Sequence, residues 1–146
     1  MVERTVVIDH VPHVVEVEKP WGKFEQYTHN TPSTVKIITV QPGGALSLQY
    51  HHRRDELWVV LDAGARIQLG DVIIRPRVGE RVFIPRTTAH RLSAPADRAV
   101  RILEVSLGEF DEEDIVRLDD VYGRAPGTDG ASAQQRRQKE RSISSQ

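Results

Sequence analysis

The sequence predicts an all-β domain, an antiparallel barrel or sandwich, on three observations. Short β-branched runs recur along the chain: TVVI, HVVEVE, TVKIITV, ELWVVL, ARIQLG, DVIIRP, RVFIP and AVRILEVS. Residues of this kind suit a pleated, half-buried surface. Turn-forming clusters separate the runs, at Asn30-Thr31-Pro32-Ser33, Gln41-Pro42-Gly43-Gly44, Leu69-Gly70-Asp71, Val78-Gly79-Glu80 and Ser93-Ala94-Pro95-Ala96-Asp97, at the spacing expected of such folds. No stretch before residue 109 has a helical period. The one helical candidate is GEFDEEDIVRL, where acids precede Ile115-Val116-Arg117 as at a helix start, so at most one short helical turn is expected.

The chain has 146 residues, enough for one core but not two. Residues 1–124 are expected to form a single domain. Residues 125–146, APGTDGASAQQRRQKERSISSQ, contain no aromatic residue and Ile143 as the only large aliphatic, which predicts a flexible polar tail. A net charge of -1 gives no electrostatic footprint for nucleic acid. The absence of cysteine excludes disulfides, thiolate metal sites and a thiol nucleophile. The N-terminal stretch has acidic residues and no long apolar run, so neither a signal peptide nor a membrane span is expected and the setting is read as cytoplasmic.

The chemistry is concentrated in LQYHHRRDELWVV, residues 48–60. Side chains alternate faces along a strand, so Ala45, Ser47, Gln49 and His51 share one face, while Leu46, Leu48, Tyr50 and His52 share the other. Small residues beside Gln49 and His51 predict a polar pocket. Arg53-Arg54-Asp55 reads as a hairpin turn that folds Glu56 back towards them. An amide oxygen, an imidazole and a carboxylate converging on one point form an N/O metal site, and His90, after the RVFIP strand and a short loop, is the best fourth ligand. His52 has the wrong parity and is expected at the outer face or an interface. Arg53 and Arg54 either solvate the turn or attract an anion at the pocket mouth.

PGGALSLQYHHRRDELWVVLDAGA and GERVFIPRTTAHRLSAP resemble the two cupin motifs, G-x5-H-x-H-x4-E and G-x5-P-x-G-x2-H. Gly43, Gln49, His51 and Glu56 match the first, with glutamine in place of the leading histidine. Gly79, Pro85 and His90 match the second, with Thr87 where glycine is usual and Ala94 in place of a terminal asparagine. The flanking EKPWGKFE, IPRTTAHRL and LEVSLGEFDEEDIVRLDDVYGR segments are similar to the cupin half of the type II mannose-6-phosphate isomerase/mannose-1-phosphate guanylyltransferase family. The resemblance runs over nearly all of residues 18–124. Two further departures are Arg53, where a third consecutive histidine is common, and Ala63-Gly64, where the glycine falls one residue late. The phosphate-binding loop of the guanylyltransferase half has no counterpart here, so nucleotide transfer is not expected of this chain.

This resemblance implies a cupin fold (a double-stranded β-helix, or jelly-roll barrel) and a Gln/His/Glu/His metal set, here Gln49, His51, Glu56 and His90. The ion is expected to be one divalent metal, with zinc the first candidate and manganese, iron, cobalt and nickel also suited to such ligands. The implied reaction is interconversion of mannose 6-phosphate and fructose 6-phosphate, in which a metal polarises the carbonyl and stabilises an enediolate. A metal-bound carboxylate is a poor base, so the catalytic base is left unassigned. Lys36, Arg117 and Arg124 are the candidate phosphate partners, with Ser47 as a hydrogen-bond partner for sugar hydroxyls. A rival role for Arg117 is to pair with Asp119 or Asp120 and pin the C-terminal segment. Trp21 is read as a sugar-stacking wall, a core residue or a dimer contact. The alternatives are another reaction on the same scaffold (a different sugar isomerase, an epimerase or a dioxygenase) or a non-catalytic sugar-binding cupin. Residues 1–17 supply a strand that pairs in its own barrel or a neighbour's, and a homodimer is expected. The expected partner is a small-molecule sugar phosphate, with no nucleic acid and no membrane.

Overall fold

The computed structural model describes residues 14–125. The expected tail beyond Ala125, and the N-terminal strand before Val14, lie outside the described residues. Ala125 itself is buried and belongs to the fold.

The described chain is all-β. A hairpin comes first, β1 (Val15–Lys19) and β2 (Gly22–Gln26), paired only with each other. Two facing sheets follow. One has the order β3 (Ser33–Val40), β10 (Val100–Gly108), β5 (Arg54–Val60) and β8 (Arg81–Ile84). The other has the order β11 (Val116–Asp119), β4 (Leu48–Tyr50), β9 (His90–Ser93), β6 (Arg66–Leu69) and β7 (Val72–Ile74). Every strand pairing is antiparallel. This is the expected two-sheet cupin architecture. No helix occurs among the described residues, so none there is long and apolar enough to cross a membrane. The helical candidate resolves into a turn at Asp111–Asp114, closed by Asp114 N–H donating to the Asp111 carbonyl at 3.0 Å, and then β11.

The main core lies between the sheets. Val40, Trp58, Val60, Ile67, Val82, Ile84, Leu92, Val100 and Ile102 are all buried there, each contributing about 1.5–3 kcal/mol by leaving water. Period-2 alternation sends Ile102, Glu104 and Ser106 of β10 inward together with Val60, Trp58 and Glu56 of β5, their register partners,. Each inward row therefore runs from hydrocarbon at one end to polar groups at the other. Val60 and Trp58 give way to Glu56 and Arg54, Val100 and Ile102 to Glu104 and Ser106, and Leu92 to His90. That change of character along the strands is what opens a polar site at one end of the barrel.

Two sequence expectations are corrected here. Leu46, expected on the face opposite Ser47 and Gln49, packs against the main core, because residues 46 and 47 precede β4 and need not alternate. Arg53-Arg54-Asp55 is no hairpin turn: β4 and β5 belong to different sheets, and residues 51–53 are the corner joining them. The late glycine after β5 causes no disruption. Gly64 adopts φ +99°, and a Cβ there would meet the Pro95 ring at 3.0 Å, so the conformation that needs glycine simply falls one residue later.

Candidate metal centre

His51, Glu56 and His90 converge although they come from the sheet corner, β5 and β9. Their ligand atoms all lie within 4.8 Å of one another, and all three residues are buried. His51 Nε2 is 3.0 Å from Glu56 Oε1 and His90 Nε2 is 3.5 Å from Glu56 Oε2. The imidazole centroids are 5.2 Å apart. Gln49 stands directly across from His90 in the β4–β9 register, so its side chain leaves the sheet on the same face.

The outer nitrogens fix the tautomers. His51 Nδ1 lies 2.7 Å from the Asp114 carbonyl oxygen and His90 Nδ1 2.9 Å from that of Thr88. A carbonyl can only accept, so each Nδ1 carries a proton, and in the neutral form each ring turns an Nε2 lone pair inward. Such backbone partners are the usual way a metal-binding imidazole is oriented. His90 Nε2 is buried without a hydrogen-bond partner, an arrangement that costs stability unless a further group meets it. Two inward lone pairs facing a carboxylate call for a cation between them. The N/O donor set therefore fits a divalent ion, with His51, Glu56 and His90 as ligands and Gln49 beside them.

A polar layer supports the ligands. Trp58 Nε1–H is shared between Glu56 Oε2 at 3.0 Å and Glu104 Oε2 at 3.2 Å, and Ser106 donates to Glu104 Oε1 at 3.2 Å. Burial acts to raise the Glu56 pKa, but the His51 and His90 imidazoles set against its two oxygens outweigh it and hold the carboxyl well below its ordinary range. Glu104 is pushed the other way, to about 7, by burial and by the neighbouring Glu56 charge. The Ser47 hydroxyl is buried and donates to Gln49 Oε1 at 3.0 Å. It thus orients the glutamine amide, and its donor is already used.

Two more residues complete the site, Asp114, which sequence reasoning missed, and Arg54, which it read as solvating a turn or attracting an anion at the pocket mouth. Asp114 is buried; its carboxylate accepts the backbone N–H groups of His52 and Arg53 at 3.0 Å each, while its carbonyl holds His51. Arg54, expected at a turn, is buried and directed at the ligands. Its Nε donates to Glu56 Oε1 at 3.2 Å, Nη1 to the Asp111 carbonyl at 3.0 Å, and Nη2 lies 3.3 Å from His51 Nε2. The signal for Arg54 was available: it shares inward parity with Glu56 and Trp58.

The other candidates fall around this centre. Lys36 pairs with Glu104 across β3 and β10, which puts it on the inward face, and its ammonium meets Glu112 at 2.9 Å. Arg117 is directly opposite Gln49 in the β11–β4 register, so it projects to the same side as Gln49 and His90. Asp119, its proposed pairing partner, meets Arg91 at 3.1 Å, and Asp120 meets Arg124 at 2.8 Å. Arg124 forms a two-pronged pair with Asp120 and stands over the Tyr122 ring, which fastens the C-terminal segment. His52 is exposed, in edge contact with Tyr50, as its parity predicts. Trp21 is 72% exposed at the β1–β2 turn, so it is not a core residue.

Comparison with known proteins bears on the family and the fold and corrects one expectation. The family described as Mannose-6-phosphate isomerase C-terminal matches residues 8–120. The xanthan biosynthesis protein XanB of Xanthomonas campestris pv. campestris (strain B100) is 38% identical over 110 residues, covering 75% of this chain and 24% of that protein. The alginate biosynthesis protein AlgA of Pseudomonas aeruginosa is 40% identical over 110 residues, covering 75% and 23%. Mannose-1-phosphate guanylyltransferase 2 of Escherichia coli O157:H7 is 38% identical over 121 residues, covering 82% and 24%. The chain thus spans about a quarter of the length of these curated relatives. Among solved structures, the capsular polysaccharide assembling protein CapF of Staphylococcus aureus superposes with a TM-score of 0.53 at 20% identity, over 73% of this chain and 34% of that one. A cupin-2 domain protein of Rhodospirillum rubrum superposes at 0.51 with 21% identity, over 70% and 79%. These structural matches speak for the fold alone. The expected interconversion of mannose 6-phosphate and fructose 6-phosphate is overturned: the curated relatives are named for xanthan or alginate biosynthesis and for mannose-1-phosphate guanylyltransferase, not for that isomerisation.

Proposed function

The chain belongs to the family described as Mannose-6-phosphate isomerase C-terminal, and we propose that it is a divalent-metal-binding cupin whose pocket takes a phosphorylated sugar. The observation that carries the metal half is the His51–Glu56–His90 cluster, with both Nδ1 atoms tied to carbonyls and His90 Nε2 buried without a partner. Gln49, held by Ser47, is the fourth ligand in this reading. A bound dication supplies a Lewis-acid charge for ligand oxygens; the chain's own residues hold the ligand set, shield it from water and present cations to an anion.

The phosphosugar half rests on two supports. The relatives are enzyme-associated, and one of those compared is named as a mannose-1-phosphate guanylyltransferase. Lys36 and Arg117 lie on the inward faces of strands that border the cluster, where they suit a phosphate. Arg124 has a lesser part here, since its guanidinium is engaged by Asp120. We further propose that the protein is a cytoplasmic homodimer, in keeping with its biosynthetic relatives and with the edge position of β3 in its sheet among the described residues.

Metal analysis of purified protein, joined to calorimetric titration, tests both halves. Near-stoichiometric metal, lost in a His51→Ala/His90→Ala double variant, is expected. So is binding of mannose 1-phosphate to the metal-loaded chain in preference to free mannose. Retention of metal by the double variant would reject the site, and equal binding of mannose and mannose 1-phosphate would reject the ligand class.

A further inference from the structure

The ligand cluster has a resident cation of its own. Arg54 places its guanidinium within 3.2 Å of Glu56 Oε1 and 3.3 Å of His51 Nε2, the very atoms that a metal would use. The same guanidinium carbon lies 4.5 Å from the centroid of the Phe110 ring, and Lys36 Nζ lies 4.3 Å from that centroid. Two cations therefore share one aromatic platform beside the ligands. Phe110 gains from either through its ring quadrupole, but the cations repel each other, and the exposed Glu112 meets Lys36 from the rim while its charge also reaches Arg54. An exposed pair of this kind is weak and readily exchanged.

A dication entering the cluster would meet the Arg54 charge at close range in a water-poor setting, where repulsion is strong. The Glu56 oxygen and the His51 lone pair cannot serve Arg54 and a metal equally. From these contacts we propose that Arg54 and Lys36 form an oxyanion subsite beside the metal centre, and that Arg54 exchanges its bonds to Glu56 and His51 for the ligand's anion when the metal binds. The subsite takes the tetrahedral oxyanion of the ligand, for which the planar guanidinium fork is suited. Metal and anion then bind cooperatively, each strengthening the other by the same factor. This rests on the metal-centre reading above and adds to it a defined anion position and a coupling.

Cobalt(II) and sulfate are suitable probes, with the full chain titrated by calorimetry and by the visible absorption of bound cobalt. At matched ionic strength, replacing chloride with sulfate is expected to tighten cobalt binding roughly tenfold, within the ordinary range of such couplings. Cobalt is expected to tighten sulfate binding by the same factor. Arg54→Gln is expected to bind cobalt more tightly than wild type in chloride and to lose the sulfate effect. Lys36→Gln is expected to reduce that effect. The proposal is overturned if sulfate leaves wild-type cobalt affinity unchanged, a measurement that needs no variant to fold. It is also overturned if a folded Arg54→Gln protein binds cobalt more weakly, which would make Arg54 a brace for Glu56. Failure of wild type to bind cobalt at all would remove the metal centre and the subsite together, whereas cobalt binding without coupling removes the subsite alone.

Discussion

Thr87 offers a prediction whose size can be worked from the backbone. The second cupin motif usually has glycine at this position, and here Thr87 sits at φ +68°, a region that β-branched residues rarely occupy. A Cβ in the left-handed region costs roughly 1–2 kcal/mol, with branching favouring the upper end. Thr87→Gly removes that cost but gives the unfolded chain extra freedom, which takes back about 0.4–1 kcal/mol. Thr87 is exposed, so no cavity forms, and its hydroxyl contact with the neighbouring Arg86 carbonyl is solvent-accessible and worth little. The expected result is a gain of about 1 kcal/mol, or a rise of about 4 °C in the unfolding midpoint for a domain of this size. Circular dichroism melts and urea titrations, run with chelator so that metal does not contribute, would measure it. Thr87→Ala is the control: it keeps the Cβ and should recover only a small part. Strain at Thr87 is refuted if the glycine variant is no more stable than wild type, or if alanine performs as well as glycine.

Three other outcomes follow from the described contacts. Asp114→Ala leaves the part-buried backbone N–H groups of His52 and Arg53 without their acceptor and should cost roughly 1–3 kcal/mol in urea unfolding; loosening the carbonyl that holds His51 should also weaken metal binding about 10–100-fold. Asp120 titrates at about 2 in the folded protein, chiefly because Arg124 bonds its carboxylate. Its stabilising effect should thus be complete above the ordinary carboxylate value of about 3.9 and lost as pH falls through about 2, so the stability difference between wild type and Asp120→Asn should shrink across that window. At the edge of the four-stranded sheet, Val35 and Ile37 are 57% and 59% exposed on β3. With Ser33 and Thr39 they give an outward row that carries no charge to deter pairing. Val35→Lys/Ile37→Lys should convert a homodimer to a monomer in light scattering, and an unchanged mass would exclude that edge from the interface.

Much of the site was legible because strand alternation is a strict geometric rule. Parity separated His51 from His52, and the structure buries the first and exposes the second. It also placed Gln49 on the face that His90 shares. The same rule would have turned Arg54 inward with Glu56. Treating residues 53–55 as a hairpin turn hid this, because a sequence does not reveal that consecutive strands belong to different sheets. Asp114 was hidden for another reason. Its role is to cap backbone groups of a corner more than sixty residues away, and such side-chain-to-backbone bonds leave no periodic trace. Acids before Ile115 resemble a helix start, but here Asp111 and Asp114 serve a turn and the metal-site corner. Glu104, which the sequence reading did not single out, lies in a run of aliphatic residues, although alternation puts it on one face with Ile102 and Ser106. Only the register shows that it shares an indole with Glu56.

That shared indole has a spectroscopic consequence. The protein contains two tryptophans. Trp58 is fully buried, its N–H divided between Glu56 and Glu104 and its ring 5.4 Å from the His90 imidazole; Trp21 is largely in solvent. Their emission should separate into a short-wavelength component from Trp58 and a long-wavelength one from Trp21. A Trp21→Phe protein would then carry a single tryptophan, in contact with the Glu56 carboxylate of the candidate metal centre. Its intensity would report directly on what occupies the barrel, with no label attached.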